Sequence, residues 1–144
     1  MIHFREVDED NWRADLRVAE DQRRFVLDRC GLLARAYAYR NRRSRVRLIC
    51  DGNLPVGMLL YYDWEEEAAY VFCQLFIDAR YQRQGFGRQA VLLALDEMRA
   101  DGRFDSVILC YSEGNEAAQR LYERLGFRPT GAVDGEEIVL RRVL

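Results

Sequence analysis

Two short segments hold most of the chemistry in this sequence. The first is Gln82-Arg83-Gln84-Gly85-Phe86-Gly87-Arg88, which joins an apolar strand-like run to a helix-like one. Glycines in such a loop let the backbone turn tightly and come close to a ligand. The helix that follows leaves its first N–H groups unpaired and carries partial positive charge. Together they make an anion site suited to a phosphate or pyrophosphate, to which Arg83 and Arg88 add full charges. The third glycine of the dinucleotide fingerprint is missing, with Ala90 where it would fall, and so is the lysine of a P-loop. Taken alone, the segment also fits an ordinary loop-to-helix turn. The second segment is Asn115-x-x-Ala118-x-x-Leu121-Tyr122-x-x-x-Gly126-Phe127. Asn115 is a natural helix cap. Tyr122 lies on the apolar stripe Ala118, Leu121, Tyr122, Leu125 and brings a hydroxyl to it.

What is missing narrows the chemistry further. All 22 basic residues are arginine, so lysine Schiff bases and the kinase lysine are excluded. His3 is the one histidine, which rules out a histidine-rich metal site, and no metal is expected. Aliphatic hydroxyls are confined to Ser44, Ser106, Ser112 and Thr130. Cys30, Cys50, Cys73 and Cys110 form no C-x-x-C, and the last three sit in apolar runs as small hydrophobes. So lean a set of catalytic side chains favours a reactive group that arrives on a cofactor. The formal charge of −2 gives no net field to hold nucleic acid or an anionic membrane. No apolar run is long enough to span a bilayer and no leader precedes the first strand, so a cytoplasmic location is expected.

The elements that must position these segments follow from periodicity. A length of 144 residues, 49% of them hydrophobic, suits a single domain over 1–144. Met1 to Val7 reads as a strand. Asp8 and Asp10 cap a helix running to about Arg24, with Trp12, Leu16 and Ala19 on one stripe. A second helix follows Gly31. Arg45 to Cys50 and Leu54 to Tyr62 flank Asp51-Gly52-Asn53 as a hairpin. Asp63 to Glu67 makes an acidic turn, and Ala68 to Ile77 is a long strand. A helix from Gly87 to about Ala100, a buried strand Ser106 to Tyr111, the Asn115 helix and two strands near 127–132 and 136–143 complete the chain. The order is β-α-α-β-β-β-α-β-α-β-β, a mixed α/β sheet in which the strands either side of the Gly85 helix are parallel.

The glycine loop and the Asn115 helix together closely resemble the GCN5-related N-acetyltransferase (GNAT) family, over nearly the whole chain. The resemblance implies the acyl-CoA N-acyltransferase fold, whose central parallel strands splay apart. It implies acetyl-CoA as cosubstrate and direct acetyl transfer to a primary amine. The loop amides between Gln82 and Arg88 would hold the pyrophosphate. Backbone groups near Phe76 and Ile77 would hold the pantetheine arm, which Asn115 would also contact. Tyr122 would lie beside the thioester sulfur, a source of a proton or a hydrogen bond for the departing thiolate. Some members use a strand glutamate as general base, and here that strand has only Gln74. Glu20, Asp63 or a water chain are the remaining choices.

Val18-Ala19-Glu20-x-Gln22-x-x-Phe25-Val26, with Tyr81-Gln82, resembles the bacterial spermine/spermidine acetyltransferase branch, although Asp28 to Leu33 departs from it. That likeness implies a polyamine acceptor. Acidic Glu20, Asp63 and Glu65, with Tyr61 and Gln74, would receive such a cation. A protein or antibiotic amine is the alternative acceptor, and a non-catalytic CoA-sensing or nucleic-acid-binding module the alternative class. Arg40, Arg42, Arg43, Arg45 and Arg47 fit either a basic binding patch or a solvated edge. No nucleic-acid or membrane partner is expected, and the chain would act as a monomer or homodimer.

Overall fold

A computed structural model describes residues 1–144. Seven strands form one sheet: β1 (Ile2–Glu6), β2 (Arg45–Asp51), β3 (Leu54–Trp64), β4 (Ala69–Ile77), β5 (Ser106–Ser112), β6 (Arg128–Asp134) and β7 (Glu137–Val143). Their spatial order is β1-β2-β3-β4-β5-β7-β6. Every pairing is antiparallel except β4 with β5. The helices are α1 (Arg29–Ala38), α2 (Phe86–Asp101) and α3 (Glu116–Arg124). None is long and apolar enough to cross a membrane.

The sheet has a core on each face, set by the period-2 alternation of strand side chains. On one face Leu59, Tyr61, Tyr70, Phe72, Leu109 and Leu140 pack with Ala94, Leu95 and Met98 of α2 and with Tyr122 of α3. On the other, Leu48, Met58, Leu60 and Phe76 pack with Leu32 and Ala36 of α1.

The expected helix between Asp8 and Arg24 does not form. Asp8 accepts from the Asp10 and Asn11 amides, and Asn11 Nδ2 donates to Glu6 O, which closes a turn. Leu16 and Val18 are then buried at alternating positions, as extended chain demands. The Arg17 amide donates to Asp78 and the Ala79 amide to Arg17 O, bonds a helix would have kept within itself. A short 3-10 turn at Glu20–Gln22 is the only helical piece. One helix therefore separates β1 from β2 where two were expected.

The acidic turn is also shorter than expected, because β3 continues through Asp63 and Trp64. Parity then puts Asp63 on the α2 face with Tyr61. Asp63 is 2% exposed and takes bonds from Arg43 Nε (2.6 Å), Arg45 Nη1 (3.1 Å) and Arg103 Nη1 (3.1 Å). Arg43 also makes a two-pronged pair with Asp101, holding that carboxyl well below its usual range. Tyr61 Oη donates to Glu97 (2.7 Å), which also pairs with Arg47. Arg43, Arg45 and Arg47 are thus committed to ion pairs and do not form a free basic patch. Asp63→Asn should cost about 3–5 kcal/mol in urea unfolding, the scale of breaking a buried pair. A loss under about 1 kcal/mol, typical of exposed pairs, would overturn this structural role.

Candidate active site

Strands β4 and β5 pair over only Tyr70–Val107, Val71–Ile108 and Phe72–Leu109, and then separate. At the parting point β4 bulges: Leu60 faces Gln74 and Tyr61 faces Phe72, with Cys73 between as the extra residue. A bulge bends its strand and adds local twist. Each strand keeps its outer neighbour, β3 for β4 and β7 for β5, so both are held while their inner edges open. A cavity of about 960 Å³ fills the opening and has walls on both faces of the sheet.

Toward α2 and α3, the wall includes Ile77, Gln82, Arg83, Gly85, Gly87, Asn115 and Tyr122, with Phe76 beside them on the α1 face of β4. These are all but two of the residues expected at the cofactor. Gln84 and Arg88 are exposed and lie off the wall. The loop passes through left-handed backbone at Arg83 (φ 63°) and Gly85 (φ 79°). Gly85 is required for that reason. Gly87 is not. A Cβ there would meet only Leu121 Cδ2 at 3.8 Å and Ile77 Cγ1 at 3.9 Å, ordinary contact distances. Within the chain, alanine would fit and would gain about 0.8–1.0 kcal/mol of helix propensity. What a side chain would fill is cavity wall. Gln82 Nε2 donates to Ile77 O (3.2 Å), so this side chain braces the loop against the end of β4.

Asn115 is buried and caps α3, its Oδ1 accepting from the Ala118 amide at 3.3 Å. Its Nδ2 faces Gln22 Oε1 at 3.5 Å. Tyr122 sits edge-on to Phe72 and Phe127, with centroids 6.5 and 5.7 Å away. Burial lifts its phenol far above the usual range, so the proton stays on at any physiological pH. Tyr122 therefore combines core packing with a hydroxyl on the cavity wall.

On the α1 face the wall is different. It includes Arg35 of α1, Tyr39 and Arg42 just after it, Tyr62 and Trp64 of β3, Cys73 and Gln74 of β4, Cys110 of β5, and Asp134 and Glu137 of the β6–β7 hairpin. Gln74 Oε1 accepts from the Leu27 amide (3.0 Å), anchoring the segment that roofs the opening. Burial raises both thiols, Cys110 to about 11, so neither is a thiolate nucleophile.

Four expected acceptor residues are not brought here. Tyr61 and Asp63 face α2. Glu65 pairs with Arg103 outside the cavity. Glu20 is 87% exposed, pairs with Arg23, and leaves the wall to its neighbours Asp21 and Gln22. The residues that sequence reasoning missed, Arg35, Asp134 and Glu137, come from α1 and the last hairpin. Nothing local in the sequence marks them.

The family model of the acetyltransferase (GNAT) family matches residues 4–127, so this chain belongs to that family of N-acetyltransferases. The chain is 28% identical over 152 residues to a spermine/spermidine N(1)-acetyltransferase of Bacillus subtilis (strain 168), covering 99% of each. Among solved structures it resembles the spermidine N-acetyltransferase of Vibrio cholerae in complex with CoA and spermine (TM-score 0.74, 18% identity, 97% of this chain and 92% of that one). It is equally similar to the PaiA N-acetyltransferase of Thermoplasma acidophilum in complex with coenzyme A (TM-score 0.74, 12% identity, 100% and 99%).

Asp78 ties the roof segment to the site. Fully buried at the end of β4, it accepts from the Arg17 amide (2.8 Å), the Arg80 amide (2.8 Å) and the Arg80 guanidinium (2.9 Å). Burial alone would raise its pKa, but these donors override it and bring the carboxyl from 3.8 down to about 2. A depressed carboxylate stabilises the fold above its ordinary pKa and loses that contribution as pH falls through the folded value. Hydrogen-exchange protection at the Arg17 amide should therefore hold from pH 7 to about 4 and fall as pH approaches 2. In Asp78→Asn it should be weak throughout. Protection that is independent of both pH and substitution would remove Asp78 as the anchor.

Proposed function

We propose that this chain transfers the acetyl group of acetyl-CoA to a primary amine on a small molecule, by direct attack within a ternary complex. The observation that carries this reading is Gly87, a glycine the fold itself does not need, on the wall of a cavity opened by the parting of β4 and β5. Acetyl-CoA, when bound, supplies an acetyl group activated as a thioester. The amides at the start of α2 and the Arg83 side chain hold the pyrophosphate. The edge of β4 near Phe76 and Ile77, left open by β5, offers backbone groups to the pantetheine arm.

The attacking amine must be neutral, and an alkylammonium titrates near ~10, so it gives up a proton in the site. The oxyanion needs a donor, which a free β4 amide near Phe76 provides. Tyr122, kept protonated by burial, offers its O–H as a hydrogen bond to the charge that develops on the leaving sulfur. No enzyme nucleophile is needed, in keeping with two wall thiols held neutral.

A polyamine acceptor is the second reading. The names of the relatives support it, as do Asp21, Asp134 and Glu137 on the cavity wall. The acidic turn at Glu65–Glu67 lends it no support, since none of its residues lines the cavity.

Gly87→Val would crowd the cradle. CoA affinity measured by calorimetry should fall by about 1–3 kcal/mol, the usual cost of overpacking, with the fold intact. Undiminished affinity in a folded variant would remove the cradle. Tyr122→Phe keeps the ring against Phe72 and Phe127 and deletes only the hydroxyl. Turnover should fall by about 10²–10⁴-fold, or roughly 3–5 kcal/mol, with little change in acetyl-CoA affinity. A kcat within about threefold of the parent enzyme, far short of that ~10²-fold floor, would reduce Tyr122 to packing.

A further inference from the structure

The α1 side of the cavity carries charges of both signs that do not satisfy one another. Arg35 and Arg42 stand on one wall, Asp134 and Glu137 on the other. Away from the cavity, Arg43 and Arg45 pair with Asp63, Arg47 with Glu97 and Arg80 with Asp78. Arg35 and Arg42 enter no ion pair. Arg35 Nη1 reaches only the Cys73 sulfur, at 3.5 Å. Arg42 lies over the Tyr39 ring, 5.9 Å from its centroid. Burial keeps the neighbouring groups neutral, raising the Cys73 thiol and lifting the Tyr62 phenol to about 12, so neither offsets a guanidinium.

The carboxylates are equally free. Glu137 is half-buried and faces Ser112 across β5 and Asp134 across β6 in register. Like charges directly opposite each other destabilise a sheet unless a cation meets them, and no basic side chain of the chain does. Arg35, Cys73 and Glu137 line one chamber, with Arg35 against the Cys73 sulfur.

A purely cationic acceptor would suit Asp134 and Glu137 but would be repelled by Arg35 and Arg42. A ligand with both signs satisfies all four. Resting on the acetyltransferase reading above, we infer that the acceptor carries an anionic group, of carboxylate type, as well as its amine. Glu137 and Asp134 receive the ammonium. Arg35, with Arg42, binds the acid. The acceptor class is therefore an amino-acid-like zwitterion. An N-acetylated acid leaves as product with the amine charge removed, so Glu137 loses its partner at the end of the reaction.

The test uses acceptors matched except for the carboxylate: ornithine with putrescine, lysine with cadaverine, phenylalanine with phenethylamine, and spermidine beside them. Thiol release from acetyl-CoA is followed with the full chain. At least one acid-bearing member should exceed its decarboxylated partner and spermidine by about 10- to 100-fold in kcat/KM, the worth of a charge-assisted hydrogen bond. Arg35→Gln should erase that advantage by raising KM for the acid while KM for the simple amine, no longer repelled, stays level or falls, and Arg35→Lys should restore part of the advantage. Spermidine or a simple amine turned over as well as every acid would overturn the inference, and so would an advantage that survives Arg35→Gln. No thiol release from any acceptor, in a protein that still binds acetyl-CoA by calorimetry, would instead remove the transferase reading and the acceptor class with it.

Discussion

The site depends on two parallel strands that begin as neighbours and do not remain so. Three residue pairs hold β4 to β5. Beyond them each strand has hydrogen-bonding groups on an inner edge that the fold leaves unpaired. Buried backbone groups without partners are costly, so the opening persists only because other forces maintain it. The bulge at Cys73 bends β4 away, and β3 and β7 hold the outer edges. A sheet that closed fully would have no cavity, and one without β7 would not hold β5 in place.

Two buried carboxylates complete the frame. Asp78 ties the irregular segment before α1 to the end of β4. Asp63 gathers Arg43, Arg45 and Arg103 beneath α2. In a chain without lysine, guanidinium forks do this work, and their planar donor sets suit two-pronged pairing with carboxylates. The same residue type thus has separate roles. Where an acid is in reach, arginine is structural. At the cavity, Arg35 and Arg42 bond to no acid and remain available to a ligand.

The two faces of the sheet divide the labour. The α2 and α3 face supplies the glycine cradle, Asn115 and Tyr122, while the α1 face supplies the charged chamber. The passage between them lies where β4 and β5 part, which lets a donor and an acceptor approach one point from opposite sides.

Sequence alone was enough for the strand–helix order from Arg45 onward, the parallel crossover, and the loop and helix that carry Gly85, Gly87, Asn115 and Tyr122. Those signals are local: Gly85 and Gly87 precede their helix directly, and Asn115 and Tyr122 share one. The stretch Asp8–Arg24 misled because its apolar spacing fits a helix, while Asp78, distant in the chain, captures its backbone. Asp63 and Tyr61 misled for a simpler reason. In a strand the face alternates with every residue, and whether odd or even positions meet α2 depends on where the strand sits in the sheet. The α1 side of the cavity was illegible for the same physical cause. Arg35, Cys73, Asp134 and Glu137 belong to four different elements, and their meeting is produced only by the sheet order β4-β5-β7-β6 with α1 packed across it. Only the tertiary structure brings such residues together, because no spacing along the chain encodes which strand edges become neighbours.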